Sequence, residues 1–209
     1  AKYLRKIKPD VIFSFLWYPN AIAIAAKIIS VPCKVLVSER TSTSIYESRF
    51  SNYLRSFILR YLYPYADIIL PNSNRTAKDI IESYGISHGK VKVIYNPIDI
   101  DMIQEKAKER VENPWFNGNT KIILAIGRMG NEKGFDYLIK AIAILKEDNI
   151  DCRLMIVGDG REKKHLESLI NKMQLNDRVQ LIGFQSNPYK YLARSAIFVL
   201  SSLYEGFPN

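Results

Sequence analysis

Short, unbroken apolar runs alternate with segments of helical period along the whole chain, and this alternation restricts the fold more than any other feature. The runs fall at residues 11–15, 34–38, 67–71, 91–95, 121–127, 152–158, 179–184 and 197–201. They are continuous rather than in-out alternating, the pattern of parallel strands covered on both faces. Between them, Phe135, Leu138, Ile139, Ile142 and Leu145 recur at helical spacing, as do Leu166, Leu169, Ile170 and Met173. Each set marks the buried face of one helix. Strand and helix in strict succession predict an α/β fold of doubly wound parallel sheets.

The succession breaks once. Asn96-Pro97 ends a run, a charged stretch from Gln104 to Glu112 follows, and Asn113-Pro114 and Asn117-Gly118-Asn119 close it. Pro, Gly and Asn gather there as in a connector, so a boundary is expected near 105–118, between domains at 1–110 and 111–209. Both domains are read as incomplete: the opening AKYLRKIKPD resembles the tail of a helix, and the final Glu205-Gly206-Phe207-Pro208-Asn209 resembles a turn about to start one.

Hydrophobic residues make up 47% of the 209 and charged residues 24%, which excludes a disordered chain. Only Cys33 and Cys152 are present, too few for a disulfide framework, so a reducing compartment is expected. The apolar stretch 11–31 is interrupted by Pro19, Asn20 and Lys27, and reads as strand plus helix rather than a membrane span. Residues 1–110 carry 17 Lys/Arg against 10 Asp/Glu, and residues 111–209 carry 13 against 11. The first half is therefore expected to face something anionic or to present a basic soluble surface.

After the run at 121–127 come Gly127, Arg128, Lys133 and Gly134, placing two cations five residues apart between a strand and a helix. Ligands of open α/β sheets bind beyond the carboxyl ends of strands, and cations there suit a phosphate or diphosphate, solvated loop charges being the equal alternative on spacing alone. Gly158-Asp159-Gly160 has Lys163 where the dinucleotide fingerprint needs a third glycine, so a dehydrogenase is disfavoured. Asp99 and Asp101 have the spacing of a metal-binding carboxylate pair but are read as helix-start residues, with no metal expected. In the segment from Ser48 to Tyr63, Phe50, Tyr53, Leu54, Phe57, Ile58 and Tyr61 share one face, with Arg49, Arg55 and Arg60 elsewhere. It is read as a core-packed helix with solvated arginines, an anionic membrane surface being the alternative. His88 and His165 stand in no nucleophile–base pattern, so a hydrolase triad is not supported.

Taken in order, Ile126-Gly127-Arg128, Lys133-Gly134-Phe135, Val157-Gly158-Asp159-Gly160, Gly183-Phe184 and Tyr204-Glu205-Gly206-Phe207-Pro208 resemble the group-1 (family 4) retaining glycosyltransferases of the GT-B fold. Weaker likenesses precede them at Pro9-Asp10, Pro71-Asn72-Ser73 and Asn96-Pro97-Ile98-Asp99. The resemblance implies two Rossmann-like domains, the first taking an acceptor and the second a nucleotide-sugar donor. It implies that Arg128 and Lys133 contact the donor diphosphate, that Gly183 and Phe184 lie against the nucleobase, and that Glu205 serves catalysis beside the donor sugar. Gly206, Phe207 and Pro208 match the turn whose amides approach sugar and phosphate. No cofactor, no metal and no nucleic-acid partner are implied.

This chain departs from the family in carrying Glu39-Arg40 where many members have a histidine, and the second glutamate of the Glu205 motif would lie beyond Asn209. Ser38-Glu39-Arg40 resembles the subset that builds bacterial surface polysaccharides or lipid-linked oligosaccharides. The expected activity is transfer of a hexose or N-acetylhexosamine, expected to be UDP-linked, to a glycan or lipid-linked acceptor. The expected setting is the cytoplasm, with peripheral contact to an anionic membrane. A nucleotide-sugar epimerase, a phosphorylase-like enzyme of the same fold and a non-catalytic sugar-nucleotide-binding subunit stand as alternatives.

Overall fold

The computed structural model describes residues 2–30, 32–40, 49–203 and 205. Its contacts divide the chain into two compact units, the change falling between Ile98 and Asp99. In the first, α1 (Lys2–Ile7), β1 (Val11–Phe15), α2 (Trp17–Ser30), β2 (Lys34–Glu39), α3 (Arg49–Leu62), β3 (Ile68–Pro71) and α4 (Asn74–Tyr84) follow one another. The strands form one parallel sheet in the order β1-β2-β3, with Val11 opposite Lys34 and Leu36 opposite Ile68. Val35, Val37 and Ile69 from the sheet are buried with Ile24, Leu59 and Ile80 from the helices. Ser73 starts α4 by accepting the Thr76 N–H at 3.1 Å.

The strand expected at 91–95 is reduced to one bridge between Ile69 and Val91. Beyond it the Ile94 N–H donates to the Pro71 carbonyl at 3.0 Å, but proline has no N–H to return the bond, and the ladder stops.

A second correction concerns α3. Tyr53, Leu54, Phe57 and Tyr61 face solvent, whereas Arg55 is 4% exposed. Ser48 and the side chains of Arg49, Phe50, Ser51 and Asn52 lie outside the description. What turns the helix over is a buried carboxylate. Glu39, at the end of β2, is 1% exposed; Arg55 Nη2 lies 3.7 Å from its Oε2, and the Tyr63 hydroxyl donates to its Oε1. Asn20 braces the cluster, donating to the Ser38 carbonyl at 3.0 Å and to the Tyr63 hydroxyl at 3.3 Å. Arg55 also lies 5.9 Å from the centre of the Trp17 ring. A buried carboxylate needs a cation and hydrogen bonds more than the sheet needs another apolar face.

In the second unit come α5 (Ile100–Ala107), β4 (Lys121–Ile126), α6 (Phe135–Glu147), β5 (Cys152–Val157), α7 (Lys163–Lys172), β6 (Val179–Leu181), α8 (Tyr189–Leu192) and β7 (Ile197–Phe198). All four strands are parallel, in the order β6-β5-β4-β7. One face buries Ala125, Leu154 and Ile156 against Ile139 and Ile142 of α6 and Leu166 and Ile170 of α7. On the other, Ile122, Leu124 and Met155 meet Val111 and Tyr191. Covering on both faces accounts for the unbroken apolar runs.

Part of the expected connector at 105–118 is integral to this second unit. The Asn187 amide donates to the Lys106 carbonyl at 2.8 Å, and Arg194 donates to the carbonyls of Ala107 and Lys108 at 2.9 and 3.2 Å. These donors satisfy the open end of α5. At its start Asp99 accepts the Met102 N–H at 2.9 Å and Asp101 sits in the first turn, as read from the sequence. Among the described residues no helix is long and apolar enough to cross a membrane.

Burial pushes the Glu39 carboxyl above its ordinary value, against the opposing pull of Tyr63 and Arg55. A folded group that protonates at higher pH than the unfolded one contributes stability that is full below the unfolded value and lost as the pH rises through the folded value. As the pH is lowered from neutral toward the ordinary carboxylate range, the melting midpoint of the wild type should therefore rise relative to that of Glu39→Gln. Arg55→Ala, which strands the carboxylate, should cost about 3–5 kcal/mol, read by thermal unfolding at neutral pH.

Candidate functional site

The strand order of the second unit fixes where a ligand can enter. β4 pairs with β5 on one side and β7 on the other: the chain runs from β4 through β5 to β6 on one side and then enters β7 on the other. In open parallel sheets the crevice outside the carboxyl ends at such a reversal is the binding site. The loop from Gly127 to Gly134 leaves β4 there.

Backbone contacts shape this loop. The Gly127 N–H donates to the Val157 carbonyl and the Met129 N–H to the Asp159 carbonyl, both at 2.9 Å, while the Met129 side chain is fully buried. One short helical turn, Asn131–Lys133, brings the Lys133 N–H to the Gly130 carbonyl at 3.0 Å. Gly134 then adopts φ 61°, and a Cβ there would collide with the Ser201 carbonyl. The segment after β7 is stitched to the loop: Ser201 Oγ donates to the Lys133 carbonyl at 2.8 Å and the Leu203 N–H to the Glu132 carbonyl at 2.9 Å.

Arg128 projects into solvent, its side chain 81% exposed, with Nη2 3.3 Å from Glu132 Oε1. The stem of Lys133 lies across Gly127, where an added Cβ would stand 3.3 Å from its Cε. Gly127 and Arg128 also line a cleft of about 380 Å³ with Val157, Gly158, Phe184 and Gln185. Gly183, at φ 73°, accepts the Gly158 N–H on its carbonyl at 2.8 Å, and Phe184 is 76% exposed. Arg128 and Phe184 therefore line one cleft at the carboxyl ends of the strands, with Lys133 against its Gly127 and Gly183 bonded to its Gly158. Glu205 is half-buried and falls outside this unit, and Gly206, Phe207 and Pro208 lie outside the described residues. Among the described residues no group of three or more His, Cys, Asp or Glu is placed to hold a metal ion.

Two residues at this edge were not singled out from the sequence. Glu132 sits between the cations, hidden as one more loop charge. Gly158 stands in an incomplete fingerprint and in the family-like run, neither of which gives it a role, yet the loop depends on it. Its φ is 141°, and a Cβ there would overlap the Gly127 carbonyl oxygen. In the first unit Glu39 is turned inward, so Arg40 is the exposed member of that pair; it donates to Asn96 Oδ1 and lies 6.0 Å from the Phe15 ring centre.

Gly158→Ala should displace the β4 loop, destabilising the protein by about 3 kcal/mol through backbone strain and overpacking. Thermal unfolding checks the magnitude, and amide exchange at Gly127–Met129 should rise with it.

Two family models cover the chain: glycosyltransferase family 4 over residues 1–102 and glycosyl transferases group 1 over residues 105–209. A curated relative from Campylobacter jejuni, N-acetylgalactosamine-N,N'-diacetylbacillosaminyl-diphospho-undecaprenol 4-alpha-N-acetylgalactosaminyltransferase, is 36% identical over 100% of this chain and 55% of its own length. Among solved structures, Anabaena HepE in complex with UDP matches 96% of this chain and 55% of its own, with a TM-score of 0.76 and 19% identity. Staphylococcus aureus TarM matches 99% and 40%, with a TM-score of 0.71 and 19% identity. The chain spans about half the length of the curated relatives it matches. The shared architecture is that of GT-B glycosyltransferases.

Proposed function

The chain belongs to the group-1 glycosyltransferases, and from that premise we propose that the full protein moves a hexose or N-acetylhexosamine from a UDP-sugar to a lipid-linked acceptor with retention of configuration. The observation that carries this reading is the cleft that Arg128 and Phe184 line beyond the carboxyl ends of β4, β5 and β6, with the Lys133 stem against Gly127 beside it. A nucleobase fits the cleft against Gly183 and Phe184, and the diphosphate then reaches the two cations. The acceptor class is drawn from the Campylobacter relative, whose name specifies a diphospho-undecaprenol substrate.

Transfer breaks the bond between the anomeric carbon and the diphosphate oxygen, leaving negative charge on the nucleotide. Arg128 and Lys133 stabilise that charge where it develops, without a metal. Glu205 holds sugar hydroxyls, and Gly206, Phe207 and Pro208, outside the described residues, are assigned to the donor by the family resemblance alone. The acceptor hydroxyl attacks from the face the diphosphate leaves, and its proton passes to the departing phosphate oxygen. The acceptor side falls to the first unit and the donor side to the second, the division lying at Ile98 rather than at the expected 110.

Arg128→Ala and Lys133→Ala in the full-length protein should each weaken UDP binding or transfer by about 1.5–3 kcal/mol, the worth of a charge-assisted hydrogen bond. Chelators should leave wild-type transfer intact. Unchanged activity in both variants, or a strict requirement for Mn²⁺ or Mg²⁺ that is lost in Asp99→Asn, would sink the assignment.

The acceptor lipid also requires access to a membrane. The solvent-facing Tyr53, Leu54, Phe57 and Tyr61, beside exposed Arg60 and the basic first half, support a peripheral contact at the cytoplasmic face. Cosedimentation with anionic vesicles should exceed that with neutral ones at low salt and fall as salt screens charges beyond about 10 Å at 0.1 M. Phe57→Ser with Tyr61→Ser should reduce it, and equal binding to both vesicle types argues against the contact.

A further inference from the structure

Glu132 lies between the two cations of the β4 loop in sequence and pairs with one of them in space, its Oε1 3.3 Å from Arg128 Nη2. The partners differ in freedom, the Arg128 side chain being 81% exposed and that of Glu132 only 20%. The carboxylate rests on Gly130, where an added Cβ would stand 2.7 Å from its Cδ. Its backbone is pinned from the other side by the bond from Leu203. Arg128, Glu132 and Arg161 share a small cleft of about 260 Å³ with Met129 and Gly130. A held carboxylate therefore faces a guanidinium whose remaining directions are open solvent.

We infer that Glu132 is a built-in counter-anion. In the donor-free protein its carboxylate holds the place on Arg128 that a donor phosphate takes, and binding a nucleoside diphosphate exchanges one anion for another on the same guanidinium. The inference rests on the assignment of Arg128 to the donor diphosphate. An exposed ion pair of this kind shifts an equilibrium by about two- to fivefold. After the exchange the displaced carboxylate still repels the bound diphosphate across a few ångströms. Both effects oppose binding, and both disappear when the carboxylate becomes an amide of the same shape. A diphosphate, with its higher charge and several oxygens, displaces the carboxylate more readily than a singly charged anion, so Glu132 also screens the site against weak anions.

The test is calorimetric titration of UDP into the full-length wild type, Glu132→Gln, Arg128→Ala and the double variant, at about 50 mM and about 500 mM salt. Glu132→Gln should bind UDP about two- to fivefold tighter at low salt, lose most of that gain at high salt, and show no gain when Arg128 is alanine. If Arg128→Ala weakens UDP while Glu132→Gln leaves it unchanged or weaker, the counter-anion is overturned and the diphosphate assignment stands. A gain that persists without Arg128 also overturns it, because the carboxylate would then act on the nucleotide alone. Should Arg128→Ala bind UDP as the wild type does, the assignment beneath the inference fails, and the inference with it.

Discussion

Strand β4 has parallel neighbours on both edges, β5 on one side and β7 on the other, and the second unit is organised by that fact. A parallel strand cannot turn straight back into its neighbour, so each connection must cross a face of the sheet. The chain steps from β4 through β5 to β6 and then returns to the far side of β4 as β7, so the order reverses beside the β4 loop. Fold and binding geometry are thus one decision. The loop from Gly127 to Gly134 is held by the carbonyls of Val157 and Asp159 beneath and by Ser201 and Leu203 beside it. Its cations stand on a braced backbone, as the proposed phosphate contact requires.

The first unit is organised by a charge rather than by a strand order. Glu39 enters the interior at the end of β2, and Arg55, Tyr63 and Asn20 gather around it. Rotating α3 to satisfy the carboxylate leaves its aromatic residues outward, including Phe57 and Tyr61 with ring centres 4.7 Å apart. One polar requirement in the core therefore generates an apolar surface outside it. The usual inference from amphipathic pattern to buried face fails here because the pattern records composition, whereas burial is settled by the partner the helix meets.

Most of the architecture was legible in the sequence, since continuous apolar runs and helical spacing are local signals. The runs at 121–127 and 152–158 became β4 and β5 nearly residue for residue, and the face of α6 was read from Leu138, Ile139 and Ile142. What escaped depends on residues far apart in the chain. The orientation of α3 needs Glu39, and the anchoring of α5 needs Asn187 and Arg194, more than eighty residues away along the chain. The role of Gly158 requires knowing that Gly127 passes above it. Arg128 and Lys133 could be named from their spacing between strand and helix, but Glu132 could not be separated from an ordinary surface charge until its contact with Arg128 was seen.

The missing N–H of Pro71 reaches further than one lost strand. Past the Ile69–Val91 bridge, the edge is held by the Ile94 donor with no reciprocal bond from the sheet. A ladder bonded in both directions opens as a cooperative block, whereas a run fastened from one side opens one residue at a time at little cost in free energy. Native-state exchange at Ile94 should accordingly proceed through small local fluctuations, while amides in β2 wait for larger ones. The backbone ladder of the first sheet thus ends at Ile94, four residues before the division between the units.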